Sequence, residues 1–436
     1  MRTRIYNARI LTMEEDRAVF TGEIHIEDGR IICVSEYDGK GTPEGAPADW
    51  DEEIDAGGNL IMPGFKNAHT HSPMTFLRSY ADDMKLQEWL YDKVFPAEAK
   101  LTEDDIYWLT KLAVMEYLTS GITSAFDMYM KKHETARAAQ ETGFRMVLCG
   151  DINDFGGTVQ DVENDYLKYN QDKNSLVSYR IGFHAEYTTA RPIMEGLARL
   201  ADQYGAPVCV HCSETRKEVE ECRERTGMTP VAYMDSLGLF RHGGVLFHGV
   251  HMDDGDFDII KKRGICVVTN PASNLKLASG IAPVKRYLDM GIPVAIGTDG
   301  PASNNCLDMF REMFLVTGLQ KVFCDDPEAV PAMDVLKMAV TNGAHAMGLS
   351  DCDSIAPGKR ADLIMLDLSQ PNMQPLRNSI EKNIVYSASK QNVKMTMIDG
   401  KVLYQDGTFY IGESKETIYE NAARISERIL GAEKGI

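Results

Sequence analysis

Short β-branched segments alternate with longer amphipathic segments through the middle of the chain, and this rhythm constrains the fold more than any other feature. Eight short segments occur in the order NLIMPGFKNAHTH, GITSAFDMY, RMVLCGDI, RIGFHAEY, PVCVHCSE, GVLFHGVH, GICVVTNP and PVAIGTDG. The segments between them, such as TEDDIYWLTKLAVMEYLTS and RPIMEGLARLADQYG, have the apolar spacing of helices. Alternating strands and helices predict a parallel sheet, and eight repeats predict an α/β protein with a closed (β/α)8 TIM barrel.

The two ends of the chain resemble each other and differ from the middle. IHIEDGRIICVSE places Asp28-Gly29 between two β-rich segments, and KMTMIDGKVLYQDG places Asp399-Gly400 in the same way. Both dipeptides predict β-hairpins. We therefore expect residues 1–61 to form the N-terminal part of a small β-sandwich and residues 62–354 to form the barrel. Residues 355–436 would complete the sandwich and add a closing helix.

Charge and cysteine content exclude several classes of partner. The net charge of −19 disfavours nucleic acid. The nine cysteines are scattered, which predicts reduced thiols and a cytoplasmic location. No apolar segment approaches the roughly 18 residues of a membrane span, and the N-terminus, MRTRIYNARILTMEEDR, lacks the apolar core of a signal peptide. We expect neither nucleic acid nor membrane as a partner.

Polar residues that can bind a metal ion or transfer a proton end most of the eight predicted strands. In chain order they are His69, His71, His184, His211, His248 and Asp299. Barrel enzymes hold their active sites at the carboxyl ends of the strands, so these side chains should meet on one rim. Three histidines and one carboxylate suit zinc or ferrous iron and leave one position open for water.

Each of these residues also has an ordinary structural explanation. An H-x-H pair in a strand is often a core or surface pair, His211 could be a buried structural histidine, and Asp299 could cap a turn. The combination favours a site, because five of the ten histidines fall at predicted strand ends. Cys209 and Cys212 form a C-x-x-C motif, but they point to opposite faces of a strand, which is poor geometry for a redox dithiol.

Five motifs together resemble the amidohydrolase superfamily: PGFKNAHTH, HCSET, FHGVH, NPASNLKLASGIAPV and GTDGPASNN. Within it the chain is most similar to the 5'-methylthioadenosine/S-adenosylhomocysteine deaminase branch, over nearly its whole length. The resemblance implies a hydrolytic deaminase of an adenine nucleoside that releases ammonia. It also implies a homo-oligomer and one divalent transition metal per chain, with zinc as the first choice and iron or manganese as alternatives.

The resemblance assigns a role to individual residues as well. The implied metal ligands are His69, His71, His211 and Asp299. Asp299 would also accept a proton from the attacking water, and Glu214 would pass a proton to a ring nitrogen of the substrate. His248 would stabilise the developing tetrahedral centre. Glu214 could instead be a common carboxylate at a helix N-terminus.

Three further residues match substrate contacts of the branch. Glu88 would bind ribose hydroxyls, His184 would contact the purine side of the ligand, and Ser303 would lie in the pocket. Glu88 and Trp89 could equally be the exposed and buried residues of one helix, and Ser303 could belong to a turn.

The sequence departs from the branch in ways that bear on the substrate. The carboxylate of S-adenosylhomocysteine calls for a cation, yet the stretch after the third strand, GDINDFGGTVQDVENDYLKYN, contains no basic residue before Lys168. Methylthioadenosine, 5'-deoxyadenosine or adenosine are therefore expected in preference. Glu186 stands where relatives carry proline and could face the pocket or solvent. Arg145 begins the third strand, away from the rim, so a role in a site would require a neighbouring subunit.

Two alternatives stay open at this point. The protein could be a deaminase or hydrolase of another amino-heterocycle, such as a guanine-like base, a pterin or an s-triazine. It could also be a non-catalytic metal-containing barrel that only binds a ligand, although such a protein would not need Glu214 and His248 beside an open metal position.

Overall fold

The computed structural model describes residues 1–15, 17–36 and 49–431, and the strands within them form two sheets. The strands are β1 (Arg2–Ile10), β2 (Phe20–Glu27), β3 (Arg30–Glu36), β4 (Glu52–Asp55), β5 (Leu60–Pro63), β6 (Phe65–Thr70), β7 (Ile122–Asp127), β8 (Arg145–Cys149), β9 (Val177–Ala185), β10 (Val208–Cys212), β11 (Gly244–His248), β12 (Cys266–Thr269), β13 (Val294–Ile296), β14 (Leu363–Leu366), β15 (Val393–Ile398), β16 (Lys401–Gln405) and β17 (Thr408–Phe409).

Helices connect the strands of the central sheet and follow the last strand. They are α1 (Leu86–Trp89), α2 (Phe95–Glu98), α3 (Glu103–Thr119), α4 (Lys132–Thr142), α5 (Val159–Tyr169), α6 (Arg191–Tyr204), α7 (Arg216–Thr226), α8 (Pro230–Ser236), α9 (Asp254–Arg263), α10 (Pro271–Lys276), α11 (Val284–Asp289), α12 (Met309–Cys324), α13 (Ala332–Lys337), α14 (Gly343–Met347), α15 (Ile380–Tyr386) and α16 (Lys415–Leu430). Among the described residues, none of these helices combines the length and the apolar character that crossing a bilayer requires.

The eight strands β6 to β13 form a parallel sheet in chain order. Its two edges meet where the backbone N–H of Asp299, just after β13, donates to the carbonyl of His69 in β6 over 3.0 Å. The strands are buried along nearly their whole length, and the helices between them cover the outside. The predicted (β/α)8 barrel is therefore confirmed, and its strand ends share one rim.

The strands of both termini join in one nine-stranded mixed sheet, which contains β1 to β5 and β14 to β17. The predicted hairpins are present: Asp28-Gly29 links β2 to β3 and Asp399-Gly400 links β15 to β16, and all four residues have positive φ. Between β5 and β6 lies Gly64, where a Cβ would come 2.0 Å from Cγ2 of Thr123. Only glycine fits this passage from the terminal sheet to the barrel.

A buried ion pair joins the barrel to the terminal sheet on the side away from the rim. Arg145, the first residue of β8, donates from Nε and Nη2 to the two carboxylate oxygens of Asp362 at 2.6 and 3.0 Å. Burial alone would raise the pKa of Asp362, but the charge and hydrogen bonds of Arg145 outweigh it and hold that pKa at about 2. Arg145 is committed to this pair within one protomer, so the idea that it serves a neighbouring subunit is not needed.

Candidate active site

The rim at the carboxyl ends of the barrel strands surrounds a cavity of about 940 Å³. The strands bring to it the residues that the sequence placed there: His71, His184, His211, Glu214, His248, Asp299 and Ser303. His69 is fully buried directly beneath the cavity floor. Residues separated by more than 200 positions along the chain thus converge on one site.

Four ligand atoms converge at the floor of the cavity. Nε2 of His69 lies 3.1 Å from Nε2 of His211 and 3.5 Å from Oδ1 of Asp299, and Nε2 of His71 lies 3.2 Å from the same oxygen. A tetrahedral zinc ion with bonds of roughly 2.0–2.1 Å separates its ligands by about 3.3 Å. These three distances fit a divalent transition metal, and the ligand atoms of His69, His71 and His211 all lie within 4.8 Å of one another.

Hydrogen bonds on the far side of two histidine rings support the same conclusion. Nδ1 of His71 donates to the carbonyl of Met128 at 2.5 Å, and Nδ1 of His211 donates to the carbonyl of His184 at 2.7 Å. The carbonyls thus take the Nδ1 protons and leave Nε2 as the ligand atom, as in many metal sites. The Nε2 atoms and Oδ1 of Asp299 all carry lone pairs and lie close together. They repel one another unless a proton or a cation lies between them.

Burial and the charge of Asp299 set the pKa values of the histidines in opposite directions. Burial lowers the pKa of His69 to about 3 and that of His211 well below its usual range. In His71 the hydrogen bond and charge of Asp299 outweigh burial and raise the pKa to about 9. The contact with Asp299 thus sets His71 apart from the other two histidines, and a metal ion would bind its imidazole in the neutral form.

Two groups suited to proton transfer lie beside the ligand atoms. Oε2 of Glu214 is 3.8 Å from Nε2 of His248, and burial raises the pKa of Glu214. Burial alone would lower the pKa of His248, but the charges of Glu214 and Asp299 outweigh it and raise that pKa. The two side chains form a facing acid–base pair at the edge of the cavity.

The loop and short helix that follow β12 orient the side chains of Asp299, His248 and Glu214. The sequence analysis did not predict these contacts. Ser273 donates to Oδ2 of Asp299 at 2.6 Å, Asn274 accepts from Nδ1 of His248 at 2.8 Å, and Ser279 donates to Oε1 of Glu214 at 3.1 Å. All three residues lie in NPASNLKLASGIAPV, a motif that carried the resemblance but received no roles. Sequence spacing gives no direction for side chains in a loop, so only the fold could show these contacts.

The predicted substrate contacts have different positions. His184 lines the cavity, its ring centre is 5.0 Å from that of His211, and its Nδ1 is hydrogen bonded to Thr188. Burial lowers the pKa of His184 to about 4, so its ring is neutral. Ser303 also lines the cavity, but its hydroxyl donates to Oδ2 of Asp299 at 2.9 Å.

Glu88 lies apart from these residues. It is exposed on α1 and does not line the cavity, whereas its neighbour Trp89 does. The expected ribose contacts of Glu88 remain a prediction. A different carboxylate, Glu98 of α2, lines the cavity and accepts from the hydroxyl of Tyr129 at 2.5 Å.

Two cations that the sequence analysis missed also line the cavity. Lys131 and Lys132 follow β7 rather than the third strand, and both line the cavity. Lys132 is paired with Asp151 at 2.7 Å, while Lys131 is exposed and forms no ion pair among the described residues. Glu186 is buried and paired with Arg225, so it faces neither the cavity nor solvent.

Cys209 and Cys212 have the orientations that strand alternation predicts. Cys209 packs inside the barrel, Cys212 packs on the other side among the residues of the main core, and both are free thiols. Burial raises the pKa of Cys212 well above its usual range, which disfavours the reactive thiolate.

Comparisons with known proteins agree with this geometry. A model described as the amidohydrolase family matches residues 60–403. A 5-methylthioadenosine/S-adenosylhomocysteine deaminase from Desulforamulus reducens is 41% identical, over 98% of this chain and 99% of the relative. A 5'-deoxyadenosine deaminase from Methanothermobacter thermautotrophicus is 40% identical, over 90% and 92%. The crystal structure of an adenosine deaminase from Xanthomonas campestris with bound zinc has a TM-score of 0.92 at 32% identity and covers 98% of both chains.

Proposed function

The chain belongs to the amidohydrolase family, and on that premise we propose that it is a hydrolase that removes the amino group of an adenine nucleoside and releases ammonia. The observation that carries the proposal is the cluster of His69, His71, His211 and Asp299, whose ligand atoms make contacts of 3.1, 3.2 and 3.5 Å, beside the Glu214–His248 pair at one cavity. Relatives at about 40% identity are named as deaminases of such nucleosides.

The residues that would hold a metal ion are His69, His71, His211 and Asp299. When bound, a divalent metal ion supplies Lewis-acid activation of a water molecule. We propose zinc, because three imidazoles and one carboxylate suit it, with iron or manganese as alternatives at such a ligand set.

The protein's own groups then move the protons. The carboxylate of Asp299, held by the hydroxyls of Ser273 and Ser303, can accept a proton from the attacking water. Glu214, positioned by Ser279, can deliver a proton to a ring nitrogen of adenine. His248, fixed through Nδ1 by Asn274, presents Nε2 to the oxygen that becomes negative during attack.

For the substrate we propose methylthioadenosine, 5'-deoxyadenosine or adenosine, with S-adenosylhomocysteine less favoured. The neutral ring of His184 suits contact with a purine, and the walls of the cavity are largely apolar, which suits a neutral 5' group: Met74, Trp89, Leu90, Phe95, Met130 and Leu277. Because Glu186 is paired with Arg225 and does not line the cavity, its carboxylate is not available to bind a protonated heterocycle.

Further properties follow from the same proposal. The nine cysteines are all free thiols, which supports a cytoplasmic location. The partners we expect are the small-molecule substrate and further copies of the same chain.

An ammonia-release screen tests the proposal. Metal-replete protein is assayed with methylthioadenosine, 5'-deoxyadenosine, adenosine, S-adenosylhomocysteine, guanine and an s-triazine. We expect turnover of at least one nucleoside, and Asp299→Asn should lose both metal and turnover. Asp254→Asn, which changes an exposed aspartate on α9, serves as the matched control and should behave like the native protein. No release from any nucleoside would refute the proposal.

Lys131 provides a test of the substrate's 5' group. If its ammonium group meets the carboxylate of S-adenosylhomocysteine, Lys131→Met should lower kcat/KM for that substrate about tenfold more than for methylthioadenosine. An equal decrease in kcat/KM for both substrates would show that Lys131 does not bind this carboxylate.

A further inference from the structure

The exposed side of α12 (Met309–Cys324) carries an apolar stripe that no described part of the chain covers. Phe314, Val322 and Phe323 are 52%, 82% and 58% exposed, although they sit on a well-packed helix. We call the following residues the α12 face: Phe314, Leu315, Gly318, Leu319, Val322 and Phe323. They recur at the three- and four-residue spacing that aligns side chains along one side of a helix.

Gly318 lies at the centre of this face. Packing within its own protomer does not require a residue without a side chain at this position. A Cβ at this position would meet only Cε1 of Phe314, at 4.0 Å. Glycine is among the poorest helix formers, so its presence in the middle of a 16-residue helix calls for a reason. Close approach of another backbone is such a reason.

The charges around the α12 face indicate what covers it. The chain carries a net charge of −19, yet this face exposes no carboxylate between Arg311 and Asp325. Lys321 is turned back onto the carbonyls of Pro327 and Ala329. Arg311 and Asp325 are both exposed, and each lies seven residues from Gly318 with opposite charge.

We propose that the α12 face is the interface with a second copy of this chain, with the two α12 helices antiparallel about a twofold axis at Gly318. A twofold axis makes an interface self-complementary. It pairs Phe314 with Val322 of the other copy and each Arg311 with the opposite Asp325. The stripe supplies apolar contact, the glycine permits close packing of the helices, and the two end pairs fix their register.

The molecular mass of the full-length protein in solution tests the interface. We expect a dimer, or a larger even-numbered assembly, at micromolar concentration by light scattering and sedimentation. Val322→Glu should weaken association at least about 100-fold, because the twofold axis places two unpaired carboxylates in one apolar interface. Since Val322 is almost fully exposed, the monomer should still fold. Leu167→Glu, an equally polar change at an exposed leucine of α5, should leave the mass unchanged.

The antiparallel register has its own test. Arg311→Asp should weaken association about tenfold, because it places two aspartates opposite each other at each end. Adding Asp325→Arg should restore association to within about threefold of the native value, which a purely structural effect of either change would not do. A native protein that stays monomeric, or that associates normally as Val322→Glu, would overturn the proposal. Failure of the double variant to recover would overturn the twofold axis at Gly318.

Discussion

Replacement of Glu214 by glutamine separates proton transfer from binding. The amide has nearly the same shape as the carboxylate, and its oxygen can still accept from Ser279. It cannot carry a proton to the substrate. Loss of a general acid–base group costs about 10² to 10⁴ in rate, or about 3 to 5 kcal/mol of transition-state stabilisation. We expect kcat to fall by this factor while the metal content and KM change little.

The geometry at Ser279 gives a smaller, graded effect. Its hydroxyl donates to Oε1 of Glu214 at 3.1 Å, which is long for a hydrogen bond to a carboxylate, so the energy belongs at the low end of the range for charged groups, about 1.5 kcal/mol. Ser279→Ala should therefore reduce kcat by about tenfold. Ser279→Thr keeps the hydroxyl and should recover most of the activity.

Steady-state ammonia release, with metal content measured on the same samples, distinguishes these effects. Glu220→Gln, on the exposed side of α7, is the matched control and should have native kinetics. The reasoning fails if Glu214→Gln keeps full turnover. It also fails if Ser279→Ala lowers kcat as much as Glu214→Gln does. The orientation of Glu214 would then account for the whole loss, with no separate contribution from proton transfer.

Four further outcomes follow from the structure. Removal of the metal with a chelator should abolish turnover, and zinc should restore it, as followed by ammonia release. Arg145→Met should cost about 3 to 5 kcal/mol of unfolding free energy in denaturant titrations, because it leaves Asp362 buried without its cation. The pKa of Asp362 is held at about 2, below its ordinary 3.8, so its stabilisation is complete above about pH 4 and is lost as the pH falls through 2. Without Arg145, burial raises the pKa of Asp362, so protonation relieves the penalty, and the destabilisation by Arg145→Met, followed by circular dichroism in denaturant, should be largest at neutral pH and smaller at low pH. Cys209→Ser should keep turnover, and a complete loss would point to thiol chemistry instead.

The barrel and the central residues of the site could be predicted because both depend on regular geometry. Strand alternation places His69 and His71 on one face, and parallel strands in a barrel bring distant residues such as His211 and Asp299 to the same rim. The hairpins at the termini were equally predictable, because a dipeptide such as Asp28-Gly29 selects a specific turn. In each case a local pattern determines the direction of a side chain.

Residues in the connecting loops could not be placed in this way. Ser273, Asn274 and Ser279 follow β12 in a segment without regular periodicity, so their hydrogen bonds to Asp299, His248 and Glu214 depend on a path that only the assembled barrel defines. Lys131 was missed for a similar reason. It lies in the loop after the second strand, and nothing in the sequence shows that this loop reaches the same cavity as the loop after the third.

Three residues at or near the site have a strained backbone conformation that lowers the stability of the barrel. Ser213, His248 and Asp299 have φ values of 53°, 77° and 59°, although none is a glycine. A left-handed conformation costs an ordinary residue about 1 to 2 kcal/mol. Glycine would remove that cost at His248 and Asp299, but it would also remove the imidazole and the carboxylate. The strain persists because the packed strands before these residues and the hydrogen bonds of their side chains leave the backbone no other path. At His248 and Asp299 the side chain therefore matters more than local stability.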